Sequence, residues 1–178
     1  LQVLRAQQVR DVAEGLGRPA LAQRAHHARQ GSAAHAAGRT LAAGLALEEA
    51  GAKYETVKLD FSQGDQRKPD YLKINPKGRV PALVTDRGIL TETPAILAWI
   101  AQAHPQAKLA PADPFEFAAA QAFNSYLCST VHVHHAHRTR GTRWADDEAA
   151  IEGMKKKVAQ NMTDAYDLIE RDMLKGPW

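Results

Sequence analysis

The tract that most restricts the fold is Asn75-Pro76-Lys77-Gly78-Arg79-Val80-Pro81-Ala82-Leu83. Apolar residues follow Pro81 directly, so the proline stands at the start of a strand, where its missing N–H costs no ladder bond. A cis Val80-Pro81 bond there turns the preceding backbone outward. Val80 can then offer its own N–H and C=O to an extended peptide, in the manner of an added strand. The strand continues into a hairpin, because Ala82 to Thr85 and Ile89 to Thr91 flank Asp86-Arg87-Gly88, a short glycine-containing turn. Beyond it, Thr91-Glu92-Thr93-Pro94-Ala95-Ile96 reads as a helix start with Thr93 as N-cap and Pro94 at the first helical position. The unpaired N–H groups and dipole of a helix start favour a carboxylate, and Glu92 beside them suits an ammonium group. Strand start and helix start together can hold one amino-acid zwitterion.

The surrounding text supports a small α/β unit followed by helices. Leu41, Leu45 and Glu48-Glu49 lead to Gly51 as a helix leads to its C-terminal glycine, which ends that helix at Ala50. Val57, Leu59 and Phe61 alternate with polar residues at the two-residue period of a strand. Ser62 to Asp70 is polar and broken by Gly64 and Pro69. After Pro94, the residues Ile96, Leu97 and Ile100 form a buried stripe, and Pro105 stops the helix. Residues 105–112 read as a Pro- and Ala-rich linker. Asp113 and Glu116 have capping-box spacing around Pro114, and Ala119, Phe123, Tyr126, Leu127 and Val131 recur at helical spacing. A second long helix is predicted from about Asp146, with Ile151, Met154, Val158, Ala165, Leu168 and Ile169 inward and Gly176-Pro177 at its end.

Charge is informative only when divided along the chain. The net charge is +3, but residues 1–43 hold six Arg, no Lys and two acids, whereas residues 44–178 hold seventeen basic and eighteen acidic side chains. The basic excess therefore lies in the first segment, which has twelve alanines and no Phe, Tyr or Trp. Such a segment buries too little to offset its ordering entropy, so residues 1–40 are expected to be poorly ordered. Aromatic residues for base stacking are missing from it, which argues against an RNA-binding arm. No apolar run approaches the roughly 18–20 residues that cross a bilayer. A cytoplasmic protein without membrane or nucleic-acid partners is the expectation. Cys128 is the only cysteine and has no internal partner. Standing between Leu127 and Ser129, close to Val131, it reads as a small core side chain.

In its order and spacing, N-P-x-G-x-V-P-x-L followed by a strand pair and Glu92-Thr93-x-Ala95-Ile96 resembles the glutathione S-transferase family, and the resemblance runs from about Leu41 to Trp178. It implies an α/β thioredoxin-like N-terminal domain over residues 41–104 and an all-α C-terminal domain over residues 113–178. It also implies that Val80 holds the cysteinyl part of glutathione, that Pro81 is the cis proline, and that Glu92 with Thr93 holds the γ-glutamyl end. Arg79 is assigned more loosely to the glycyl side. The co-substrate is glutathione, the other substrate a small electrophile, the assembly a homodimer, and no metal is implied. A non-catalytic binding or dimerisation module of the same fold is the alternative.

Both ends depart from the family pattern. The family's first strand is expected near residues 25–38, where neither alternation nor a β-branched side chain occurs, so that strand reads as missing. The abrupt change of text suggests that residues 1–40 come from a shifted reading frame or a misplaced start, which sequencing the coding DNA decides. The chain stops at Trp178 where family members continue, so the helical domain is expected to be incomplete. Alignment of the first helix puts Thr40 where the thiol-activating residue or its neighbour falls, although a threonine leading a helix also serves as a plain cap. His132 aligns with a histidine that faces the bound thiol in bacterial beta-class relatives. Its neighbours His134, His135 and His137 do not make a metal site on a regular helix. At about 100° per residue, His132 and His135 share one face while His134 and His137 share nearly the opposite one.

Overall fold

The computed structural model describes residues 2–6 and 34–174, with side chains described for Leu4 and for residues 41–174. Residues 1–112 and 113–178 form two compact units.

The first unit is a four-stranded sheet with helices on both faces. Its elements are β1 (Gln2–Ala6), α1 (Ala34–Glu49), β2 (Tyr54–Lys58), α2 (Pro69–Ile74), β3 (Ala82–Thr85), β4 (Gly88–Thr91) and α3 (Thr93–Ala103), with a 3₁₀ turn at Asp65–Arg67 before α2. Strand order is β2-β1-β3-β4. β1 pairs antiparallel with β2 and parallel with β3, and β3 pairs antiparallel with β4. Leu4 lies opposite Leu83 in the parallel ladder, and both are fully buried. Over them pack Ala43 and Leu47 of α1 and Ile96 and Ile100 of α3, also fully buried. Each buried Leu or Ile of this kind contributes about 1.5–3 kcal/mol. On the other face Tyr71 of α2 packs with Leu59, Val57, Phe61, Val80 and Val84.

Local chemistry explains most of these boundaries. α1 closes in a Schellman motif, with Gly51 at φ 63° donating to the Glu48 carbonyl at 2.9 Å and Ala52 donating to the Leu47 carbonyl at 2.9 Å. The hairpin is fastened by Thr85, which is buried. Its Oγ1 donates to the Gly88 carbonyl at 2.8 Å and accepts from the Arg87 N–H at 3.2 Å.

Several expectations are corrected by the fold. A first strand is present, at Gln2–Ala6; of residues 25–38, where it was expected, 34–38 belong to α1 and 25–33 lie outside those described. Its residues, Gln2-Val3-Leu4-Arg5-Ala6, do not alternate, and the strand is held by its neighbours on both sides rather than by its own pattern. Residues 34–40, expected to be unstructured, belong to α1, so alanine propensity carries the helix further back than its large apolar residues do. Of the residues assigned to poor order, 1 and 7–33 lie outside those described. Ala43 and Leu47 form the inward stripe of α1, a face to which the sequence reading made no assignment, and leave Leu41 and Leu45 exposed at 59% and 54%. The strand read from Val57 to Phe61 is β2 at Tyr54–Lys58, and the polar stretch ending at Asp70 contains the start of α2.

The second unit is helical: α4 (Pro114–Tyr126), a π turn at Leu127–Val131, α5 (His132–Arg140), a 3₁₀ turn at Gly141–Arg143, and α6 (Glu148–Leu168) ending in a π turn at Ile169–Met173. Asp113 caps α4, its Oδ1 accepting from the N–H groups of Phe115 and Glu116 at 2.9 Å each. Asp147 caps α6 by accepting from the Ala150 N–H at 2.7 Å. Val131, Ala165 and Ile169 form the buried centre, with Phe123, Tyr126, Leu127, Met162 and Met173 around it. Gly141 is required where α5 meets α6, since a Cβ there would stand 2.8 Å from Ile151 Cγ2. The π turn inserts an extra residue and rotates the helix beyond it. Cys128 faces solvent, which corrects its reading as a core side chain. Among the described residues, no helix is long and apolar enough to cross a membrane.

Candidate functional site

Asn75, Pro76, Lys77 and Gly78 make a turn closed by the Gly78 N–H on the Asn75 carbonyl at 2.9 Å. Gly78 is at φ 59°, and a Cβ on it would lie 3.1 Å from the Gln66 carbonyl, so this position needs glycine twice over. Asn75 is 1% exposed and works in both directions. Its Oδ1 accepts from the Lys77 N–H at 3.2 Å, and its Nδ2 donates to the Arg79 carbonyl at 2.6 Å. The same carbonyl accepts the Tyr71 hydroxyl from beneath. Burial raises the pKa of that phenol above 10.0, against a smaller opposing effect of Asn75, so it remains a donor. Two donors on one carbonyl fix the peptide that enters Val80. The Val80-Pro81 bond is cis. Pro81 is buried, Val80 half-buried, and the Arg79 side chain exposed.

The second corner is the end of β4. Glu92 has φ 70° and ψ 125°, a conformation that non-glycine residues rarely hold and that costs on the order of 1–3 kcal/mol. Its carbonyl accepts from the Ile96 N–H at 3.1 Å, so Glu92 occupies the N-cap position of α3, and no side chain caps that helix. This corrects the expectation for Thr93. It is the first helical residue and not the cap, because the left-handed Glu92 turns the chain one residue earlier. Its Oγ1 is buried and finds no hydrogen-bond partner among the described residues. Burying a hydroxyl that way costs roughly 1–3 kcal/mol on protein scales. A strained residue, an uncapped helix start and an unsatisfied hydroxyl thus fall together at one corner, and the last two would gain from an anion with acceptor oxygens.

Lys77 ties the two corners together. Its Nζ donates to Thr91 Oγ1 at 2.8 Å and to Glu92 Oε1 at 2.5 Å, across fourteen and fifteen residues of sequence. Of the residues expected from sequence, Arg79, Val80, Pro81, Glu92 and Thr93 therefore belong to one neighbourhood of the first unit. Asn75, Tyr71, Lys77 and Thr91 were not assigned roles from sequence. Asparagine at the first position of an Asn-Pro-x-Gly turn was the available signal for one of them.

Two other candidates stand on other elements. Thr40 is the seventh residue of α1, so it does not lead that helix, and its side chain is outside those described. His132 opens α5 in the second unit. His134 Nδ1 lies 3.5 Å from Asn161 Nδ2, and His137 meets Trp144 edge-on with centroids 4.5 Å apart. Among the described residues, no group of three or more His, Cys, Asp or Glu side chains is placed to hold a metal ion.

Residues 34–102 match the family model described as glutathione S-transferase, N-terminal domain. A maleylacetoacetate isomerase of Pseudomonas aeruginosa is 32% identical over 112 residues, covering 60% of this chain and 53% of the isomerase. The chain thus spans about half the length of that relative. A glutathione transferase homologue from Sulfitobacter, solved with bound glutathione, superposes with a TM-score of 0.73 at 45% identity, covering 79% of this chain and 68% of the homologue. A bacterial beta-class glutathione S-transferase from Sphingomonas chungbukensis superposes with a TM-score of 0.60 at 34% identity, covering 75% of this chain and 66% of its own.

Proposed function

This chain belongs to the glutathione S-transferase family, and on that premise we propose that its first unit binds glutathione and presents the thiol for conjugation to small electrophiles. In this reading the backbone of Val80 pairs with the cysteinyl residue as a short added strand. The γ-glutamyl carboxylate meets the start of α3 and the Thr93 hydroxyl, its ammonium meets Glu92, and Arg79 attends the glycyl end. The observation that carries the reading is Thr93 Oγ1, a buried hydroxyl without a partner among the described residues, at the head of an uncapped helix. Native chains rarely leave such a group unsatisfied, and a carboxylate oxygen satisfies it.

Conjugation needs the thiolate. A thiol near pKa 8.5 is mostly protonated at neutral pH, so a donor or positive dipole near sulfur is required. In the first unit Thr40 is the candidate offered by the sequence. With a dinitrohalobenzene, the sulfur forms a bond to the ring carbon, the carbon–halogen bond breaks, and the thiol proton passes to solvent while halide leaves.

Retention on immobilised glutathione, run beside turnover of a dinitrohalobenzene, tests the proposal. Retention together with turnover, both weakened by Thr93→Val, supports it. Retention without turnover of either that compound or maleylacetoacetate moves the reading to a non-catalytic binding module, and no retention refutes it. Turnover of maleylacetoacetate alone favours a glutathione-dependent isomerase, as the name of the Pseudomonas relative suggests.

A further inference from the structure

Lys77 is held at its backbone and at the tip of its side chain. Its N–H is on Asn75 Oδ1, and its Nζ is shared between Thr91 Oγ1 at 2.8 Å and Glu92 Oε1 at 2.5 Å. The ion pair is open to water, with side chains 44% and 56% exposed, and exposed pairs add little to folding stability. What the arrangement does change is the charge at the corner. A carboxylate that already holds a fixed ammonium offers less to a second one, and the Thr91 hydroxyl keeps the lysine from swinging away. The turn that seats Lys77 is in turn set by the buried Asn75 and by Gly78 at φ 59°.

We propose that Lys77 is a resident cation that sets the amino-group selectivity of this site. By occupying Glu92 it weakens recognition of the γ-glutamyl ammonium, so that the corner reads a ligand chiefly through its carboxylate. The inference rests on the reading that Glu92 and Thr93 receive the γ-glutamyl end. Two unit positive charges about 4 Å apart in a water-like medium repel by an amount worth on the order of fivefold in affinity. Lys77 therefore lowers the preference for an amino-bearing ligand by about that factor, and removing its charge restores the preference.

The test is a ratio of dissociation constants, measured by titration calorimetry at low salt, where exposed charges are least screened. The two ligands are glutathione and its analogue with hydrogen in place of the α-amino group, glutaryl-cysteinyl-glycine. The proteins are the full chain, Lys77→Met and Lys77→Arg. A purely structural role for Lys77 would weaken both ligands alike and leave their ratio fixed. The expected result is a preference for glutathione that rises threefold or more in Lys77→Met and stays near the parent value in Lys77→Arg. A smaller rise, a fall, or an equal rise in both variants overturns the role of Lys77 while leaving the glutathione site standing. Failure of the parent chain to bind either ligand removes the site itself, and the inference with it.

Discussion

Replacing Thr93 by Val separates what the hydroxyl costs the empty protein from what it gives the ligand. The two side chains have nearly the same shape, and both are β-branched, so packing and helix propensity change little. In the free chain the substitution removes a buried oxygen with no partner among the described residues. The penalty of roughly 1–3 kcal/mol for such a group is then relieved. Stability should rise by up to that amount, which for a unit of this size corresponds to about 4–8 °C in melting temperature per kcal/mol. Binding should move the other way. A hydrogen bond from a hydroxyl to a charged group contributes about 1.5–3 kcal/mol, or about ten- to a hundredfold in affinity. Thermal unfolding followed by circular dichroism measures the first quantity, and calorimetric titration with glutathione the second. Thr93→Ser should retain affinity and show no gain in stability. A Thr93→Val protein that melts lower than the parent, or binds glutathione equally well, refutes the account of this corner.

Three more outcomes are expected from the geometry. Tyr71→Phe and Asn75→Ala each leave the Arg79 carbonyl with one donor, so their combination should cost about 1 kcal/mol more than the sum of the singles, as urea unfolding in a double-mutant cycle would read. Leu4→Ala should destabilise the first unit by about 2–5 kcal/mol, the usual range for a fully buried leucine, and a neutral result in urea unfolding would remove β1 from the sheet. Burial raises the Tyr71 pKa above its unfolded value of 10.0, so the unfolded chain gives up this proton first. Stability carried by the neutral phenol is therefore intact below pH 10 and lost as pH climbs through the folded-state value. Tyr71→Phe should flatten the alkaline slope of stability measured by urea unfolding at a series of pH values above 10.

What could be read from the sequence was what neighbouring residues decide. The hairpin around Asp86-Arg87, the glycine that closes α1 and the aspartate that caps α4 each depend on side chains within four residues of the feature they make. The Asn75–Leu83 tract and the Glu92-Thr93 pair were recognisable for the same reason, as short texts with fixed spacing. Contacts between distant residues were not legible. β1 is a strand only because β2 and β3 flank it. The Lys77–Glu92 pair spans fifteen residues, and nothing in either local text announces the other. The cap of α3 was placed one residue too late because an N-cap threonine is the commoner pattern, and the left-handed φ of Glu92 leaves no mark in composition. Cys128 stands one position off the inward stripe of Phe123, Leu127 and Val131, so its exposure follows from the helical spacing of those residues.

The position of β1 also sets an order of events. The strand nearest the start of the chain stands in the middle of the sheet and shares its parallel ladder with residues 82–84. During synthesis it must wait for roughly 80 more residues before that partner exists, and contacts of such long sequence separation are slow to form. Until then β1 has β2 alone to pair with, and the sheet stops at that antiparallel pair. The peptide corner and the helix corner of the site lie on the late-formed side of that seam. A nascent chain should therefore acquire the proposed glutathione site in a single step, once α3 has cleared the ribosome and the first strand has closed the sheet.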